Sequence, residues 1–448
     1  MIYKDKMKNL IKYLLLFSFT QIVIPTSAQT TLSLKECVDA ALKNNLTFRE
    51  SQIQSEVANV ELARAKSLQY PRIGFGVGQD VRIGRSIDRF TNAYIEQVYS
   101  TNGFGLDASV TLFNGFQLKN QIQQNVLLKE AGLKNIDAVR NQVTISLLQA
   151  YLQVLASQEL YEVAKQQVAT SQSQLDRVNK QVNAGTVGQS EYFQIKSQLA
   201  NDAFSLVSIK NTLKASRLAL FQLMNVMPNN SVVFQPLADE VNLYAVDQDL
   251  ANQLYEQSLT TFPAVKRAEL QVRSYNYLLK ATKANVMPFI GLSANYGAFY
   301  STSNKAENYV TQINGTRNGA LSLNFSIPIF GGLQNAPRVA AVKVQQQLTE
   351  NQLNITKLQL RQAIEQALQS FDAASERYAV ATEQVSINEQ NIKAVESKIN
   401  AGTANPVEYV LAKTNFDRAR SNLVQAKYEF LLQQKIIDFY KNGDWRIN

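Results

Sequence analysis

Histidine is absent from all 448 residues. That removes the commonest general base of enzymes and a favoured metal ligand. Cysteine occurs once, at Cys37, so no internal disulfide can form. Charged neighbours, Lys35 and Glu36, argue against lipid attachment there, and the plainer reading of Cys37 is a small buried hydrophobe. Past residue 28 no apolar run approaches the ~20 residues of a membrane-spanning helix. The membrane stays accessible only to strands. The formal net charge of +9 is mild and contains no basic block, so nucleic acid is not implied. No metal-ligand cluster, nucleophile–base pair or cofactor motif stands out. GFGVG at 74–78 looks like a dinucleotide loop, but it lies among alternating residues and no helix opens after it. These absences argue against an enzyme.

What is present begins with an export signal. Lys4, Lys6, Lys8 and Lys12 precede the apolar run YLLLFSFTQIVI at 13–24, and PTSA leads to a cleavage site after Ala28. Beyond it the chain repeats itself. NAGTVGQSEY at 183–192 returns as NAGTANPVEY at 400–409. The offset that lays Gly185 on Gly402 also lays Pro71 on Pro288, Phe113 on Phe330 and Leu42 on Leu259. A shared offset at separated landmarks marks a tandem duplication. The expected organisation is a signal peptide at 1–28, a first repeat at 29–225, a linker at 226–248, a second repeat at 249–440 and a short tail at 441–448.

Each repeat reads as a helix, two strands, a very long helix and a returning helix. The first helices are expected at roughly 33–69 and 249–286, each stopped by the proline that follows (Pro71, Pro288). Returning helices are expected at roughly 189–225 and 405–440. Between Arg338 and Ala401 there is neither glycine nor proline, and only Gly132 interrupts 116–184. About 65 helical residues make a rod of roughly 100 Å. The apolar spacing is seven: Leu147, Val154, Tyr161, Val168 in one repeat, Ile364, Phe371, Tyr378, Val385 in the other. A second row, three residues on, is small: Ser157, Ala164, Ser171 and Ala367, Ala374, Ala381. Heptads predict helices packed side by side, and the small row lets neighbours come close. Heptads alone would equally describe an ordinary coiled coil.

The strands separate the two cases. Ile73, Phe75, Val77 alternate with Gly74, Gly76, Gly78, and Phe104, Leu106, Ala108, Val110 alternate with Asp107, Ser109, Thr111. The second repeat matches at 290–296 and 321–329, as far as Ile329. Alternation over about ten residues fits an outer-membrane barrel strand. Four strands cannot close a barrel, and an open edge in lipid leaves backbone groups unpaired. Several chains must therefore combine. Loops 83–102 and 301–318 then face away from the helices. Tyr94, Tyr99, Tyr300 and Tyr309 could mark one aromatic girdle, and Phe113 and Phe330 the other. Arg82, Arg85 and Arg89 flank an outer loop and could meet anionic lipid headgroups, although solvent is the default.

The tandem halves, LKECVDAALKNN at 34–45, LFNGF at 112–116, IFGG at 329–332 and the two AGT turns together resemble the TolC-type outer-membrane efflux protein family, over the whole mature chain. The resemblance implies a homotrimer: a 12-stranded transmembrane β-barrel continued by a 12-helix periplasmic tunnel. It implies a passive exit duct, docked to a periplasmic adaptor (membrane fusion protein) and driven by an inner-membrane pump of RND, ABC or MFS type. Gly185, Thr186, Gly188, Gly402, Thr403 and Pro406 would form the docking tips. Glycine suits a helix end and proline a helix start, so each also reads as plain turn chemistry. Glu408 matches the first of the family's entrance-constricting acids, with Glu191 its counterpart in the first repeat. Leu411 and Ala404 depart from the family's acidic and basic positions, which leaves the closing mechanism open. Both glutamates also suit a helix N-terminus. Asp107 would face the lumen, as a wetted residue or a tuner of ion selectivity. An outlet for secreted proteins, and an exported periplasmic coiled coil, are the competing readings.

Overall fold

The computed structural model describes residues 31–87, 92–96, 98–229, 231–237, 248–331, 333–401, 403 and 406–443. The signal peptide, Arg89, Gly402 and most of the C-terminal tail lie outside them. A two-residue strand β1 (Thr31–Leu32) leads into helices α1 (Leu34–Asn44) and α2 (Leu46–Ser67). Strands β2 (Arg72–Arg82), β3 (Arg85–Ile87), β4 (Tyr94–Glu96) and β5 (Tyr99–Asn114) follow, then α3 (Gln117–Asn183) and α4 (Gln189–Met224). After β6 (Val233–Phe234), the order returns as α5 (Gln248–Thr261), α6 (Pro263–Lys283), β7 (Phe289–Ser301), α7 (Tyr309–Gly315), β8 (Asn318–Ser326), α8 (Asn335–Asn400) and α9 (Pro406–Asn442).

The long rods form as expected. α3 has 67 residues and α8 has 66, about 100 Å each. Gly132 does not interrupt α3. It lies opposite Ser55 of α2, where an added Cβ would stand 3.2 Å from the Ser55 hydroxyl. The small heptad row is buried, including Ser157, Ala164, Ser171, Ala367, Ala374 and Ala381.

The single opening helix expected in each repeat is instead two. In the first, Asn45 ends α1 and caps α2, its side chain accepting from Phe48 N at 3.1 Å. In the second, Pro263 occupies the first turn of α6 and its fixed ring breaks the run after Phe262. Two caps within one apolar pattern allow the short helix to turn and cover a core. α1 does so over Leu147, Tyr151, Leu220 and Met224, with Cys37 fully buried beneath it. Burial pushes the Cys37 thiol up to about 12. α5 packs Leu254 into a separate core with Ile364, Phe371, Phe430 and Ile437. Each such buried side chain contributes roughly 1.5–3 kcal/mol. β1 pairs in parallel with β6, and the Tyr151 hydroxyl donates to Gln235 O at 2.7 Å, with Leu32 O 3.1 Å away. The linker strand β6 and β1 are thus tied to the middle of α3.

One antiparallel sheet has the order β2-β5-β7-β8. β8 ends at Ser326, short of Ile329, because Pro328 cannot supply a ladder N–H. The two connecting loops are not alike. The first carries the β3–β4 hairpin, where Arg85 lies over the Tyr94 ring. The second carries α7, which covers the end of β7 that β8 does not reach. There Thr316 Oγ1 accepts from Phe299 N (3.0 Å) and donates to Phe299 O (2.7 Å), while Gln312 Oε1 accepts from Ser301 N (2.9 Å). Two side chains replace a missing strand.

Candidate functional site

The two tips use one physical device. At the end of α3, Gly185 has φ +73°, the left-handed conformation that glycine adopts without a Cβ penalty. Gly185 N donates to Val182 O, and Thr186 N to Gln181 O, both at 3.0 Å. That pair of bonds is a Schellman end. Thr186 Oγ1 adds a second donor to Gln181 O at 3.0 Å. At the end of α8, Thr403 repeats both bonds onto Lys398 O, from its N at 2.9 Å and its hydroxyl at 3.1 Å. α9 begins at Pro406.

The two glutamates are used differently. Glu191 turns back and its Oε2 accepts from Gly188 N at 2.6 Å, capping α4. Glu408 instead pairs with Lys398 of the preceding helix at 3.2 Å. The tips are held together inside by Val178, Ile195, Ile392, Val395, Tyr409 and Ala412. Burial pushes the Tyr409 hydroxyl up to about 12. Phe193, Val407 and Leu411 stay exposed beside them.

Above this apolar layer lies a buried ionic one that the sequence reading missed. Lys413 of α9, with its side chain 3% exposed, pairs with Asp202 of α4 at 2.9 Å and with Asp417 one turn on. Ser171 of α3 donates to Asp202, and Gln198 Nε2 donates to its other oxygen at 2.8 Å. Burial raises the Asp417 carboxyl above its usual range, against the opposing pull of Lys413. Three helices from both repeats meet here. One signal was available: Asp202 holds the second heptad row of α4, between Ile195 and Ile209.

The sheet has two chemically distinct faces. Ile73, Phe75, Val77, Leu106, Leu321 and Leu323 share one face and are exposed, Phe75 by 69% and Leu321 by 74%. Asp107 lies on the other, between Gly74 and Asn295 in register, with Ser109, Ser293 and Ser322 in the next row. Tyr94 and Tyr309 are exposed near one end of the sheet, whereas Tyr99 is buried; Phe113 meets Phe116 edge-on at the other end. Among the described residues, no helix is long and apolar enough to cross a membrane, and no group of three or more potential metal ligands occurs.

Strands with an open apolar face and paired helical rods define a class: proteins that enter a membrane as strands and reach away from it as helices. A sequence profile of the outer membrane efflux protein family matches residues 37–226 and 254–437. The chain belongs to that family; its place is the outer membrane and its work is efflux. Outer membrane efflux protein BepC of Brucella suis is 20% identical over 358 residues, covering 80% of this chain and 73% of its own. Outer membrane protein TolC of Escherichia coli is 21% identical over 414 residues, covering 90% of this chain and 80% of its own. Among solved structures, the Campylobacter jejuni CmeC outer membrane channel superposes with a TM-score of 0.75 at 18% identity, covering 92% of this chain and 85% of its own. VceC from Vibrio cholerae gives 0.74 at 14% identity, covering 90% and 95%. At those identities the superpositions speak for the fold.

Proposed function

We propose that three copies of this chain form one hollow duct, a 12-stranded barrel in the outer membrane continued by 12 helices across the periplasm. The duct is a passive exit with no catalytic step. It takes substrates from an inner-membrane pump through a periplasmic adaptor that docks on the six tips. The observation that carries this reading is the unfinished sheet. β2 and β8 are both edge strands, over 11 and 9 residues. In lipid, each unpaired backbone group costs several kcal/mol. Pairing β8 of one copy with β2 of the next satisfies both edges and turns the exposed apolar face outward to lipid. Asp107 then faces the lumen.

In this reading residues 29–225 and 249–440 act as two repeats, each supplying one hairpin, after removal of 1–28. Gly185, Thr186, Gly188, Gly402, Thr403 and Pro406 set the shape of the docking tips, while Glu191 and Glu408 ring the entrance. Single-particle imaging of the detergent-solubilised protein tests the assembly: the expected particle is threefold, hollow and tubular. A water-soluble monomer or a solid rod would return the chain to the exported coiled-coil reading. A deletion strain should become sensitive to small toxic compounds. A defect confined to secreted proteins would move the cargo to the protein-outlet alternative.

A further inference from the structure

Where the helices hand over to the sheet, the polar face holds a recess of about 620 Å³. Arg72, Ser109 and Ser293 lie across from one another on β2, β5 and β7, and in the next row Thr111 and Asn324 flank Gly291. A bulge in β5 between Thr111 and Phe113 then moves the alternation by one residue and brings Asn114 onto this face, opposite Phe289. Bulges recur beside functional sites because they re-aim a side chain in this way.

The polar groups are arranged as donors. Arg72 is exposed and its guanidinium has only N–H groups to offer. Asn324 Nδ2 donates to Ser293 Oγ at 3.2 Å, which leaves the Ser293 proton for the recess. Asn114 Oδ1 accepts from Leu118 N at 3.3 Å, which occupies its acceptor and leaves its amide hydrogens free. No carboxylate lines the recess. Asp107, one row on, leans over Gly74, where an added Cβ would stand 3.0 Å from its Oδ1. Among the described residues, neither Asp107 nor any other acid forms an ion pair with Arg72. Beside the donors is an apolar surface. The Phe289 ring lies over Gly291, with Cε1 2.9 Å from where a Cβ would be, so a side chain at 291 would push the ring away.

We infer that this recess binds organic anions, with a carboxylate held at Arg72 and Ser293 and an apolar body against Phe289, as they leave the helices for the barrel. Hydrogen bonds from a guanidinium to a carboxylate are about twice as strong as neutral ones. The recess is built by one chain; only its place on the exit path rests on the trimeric barrel proposed above. Asp107 sets the far limit of the recess, because it repels the charge that Arg72 attracts.

The test titrates 4-phenylbutyrate calorimetrically into the full-length protein in a nonionic detergent, with empty micelles subtracted. Binding should be saturable. Arg72→Gln should weaken it about tenfold or more, the loss expected for one hydrogen bond to a charged group. Ser293→Ala should weaken it less, and it decides the matter should Arg72→Gln fail to accumulate. Arg82→Gln, at the other end of the same strand, should leave binding unchanged. The neutral 4-phenylbutyramide and inorganic phosphate should each bind more weakly than 4-phenylbutyrate, the first for want of charge and the second for want of an apolar body. Binding that neither Arg72→Gln nor Ser293→Ala weakens, an equal loss in Arg82→Gln, or equally tight binding of the amide or of phosphate would overturn the site. Particles that imaging shows without a hollow barrel would defeat the duct and the exit path, while the titration still decides the recess.

Discussion

The two hairpin tips are copies that have drifted apart in an instructive way. Both rods end with the same threonine bonds onto the carbonyl five residues earlier. Both returning helices place a glutamate in the first turn. Yet Glu191 caps its own helix, whereas Glu408 reaches across the turn to Lys398. Higher up, the divergence is larger. Lys413 is buried between Asp202 and Asp417, but its counterpart Lys196 lies over the Tyr192 ring in solvent. The counterparts of Asp417 and Asp202 are Ala200 and Ala419. Duplication preserved what the backbone needs locally. It did not preserve what each side chain meets, because the two hairpins have different neighbours.

The sharpest way to break this asymmetry is Lys413→Met. Removing the cation leaves two carboxylates buried and uncompensated, a loss of about 3–5 kcal/mol. Thermal unfolding of the detergent-solubilised protein should show it, and adding Asp202→Leu should recover part of the loss. Lys196→Met should be close to silent. Equal effects at 413 and 196 would mean that the ionic layer is not what distinguishes the hairpins.

Next in size is the shared turn. At Gly185, whose φ is left-handed, valine costs about 1–2 kcal/mol. Gly185→Val combined with Gly402→Val should abolish export while folded trimers persist in the membrane, read by susceptibility assays and cross-linking. Unchanged export would detach docking from the tips.

The smallest effects belong to the two glutamates, and they should differ in kind. Glu408→Ala opens an exposed ion pair worth at most about 1 kcal/mol, so stability should barely move while single-channel conductance in a bilayer rises. Glu191→Ala removes a cap, which for side-chain caps is typically about 1 kcal/mol, and should lower stability more than it alters conductance. The reverse pattern would place the entrance constriction at the first tip.

Much of this architecture was legible from residue order. The offset between Gly185 and Gly402, the heptads of the rods and the period-two alternation around Phe75 and Leu106 each express a local rule. The misreadings occurred where a cap or a proline cut an otherwise continuous pattern, as at Asn45, Phe262-Pro263 and Ile327-Pro328. α7 was invisible for another reason. Its role is to cover the end of β7 from Ala298 to Ser301, a need that arises only because β8 is shorter than its neighbour.

The sequence by itself determined the duplication, the rods and the two-faced strands, because periodicity and turn chemistry act between residues close in the chain. Tertiary structure alone decided that Lys413 would be buried with Asp202, that Glu191 and Glu408 would take different partners, and that Arg72, Ser109 and Ser293 would line up across three strands. Those are matters of register between distant segments. A charge or a hydroxyl acquires its meaning from what packing sets opposite it.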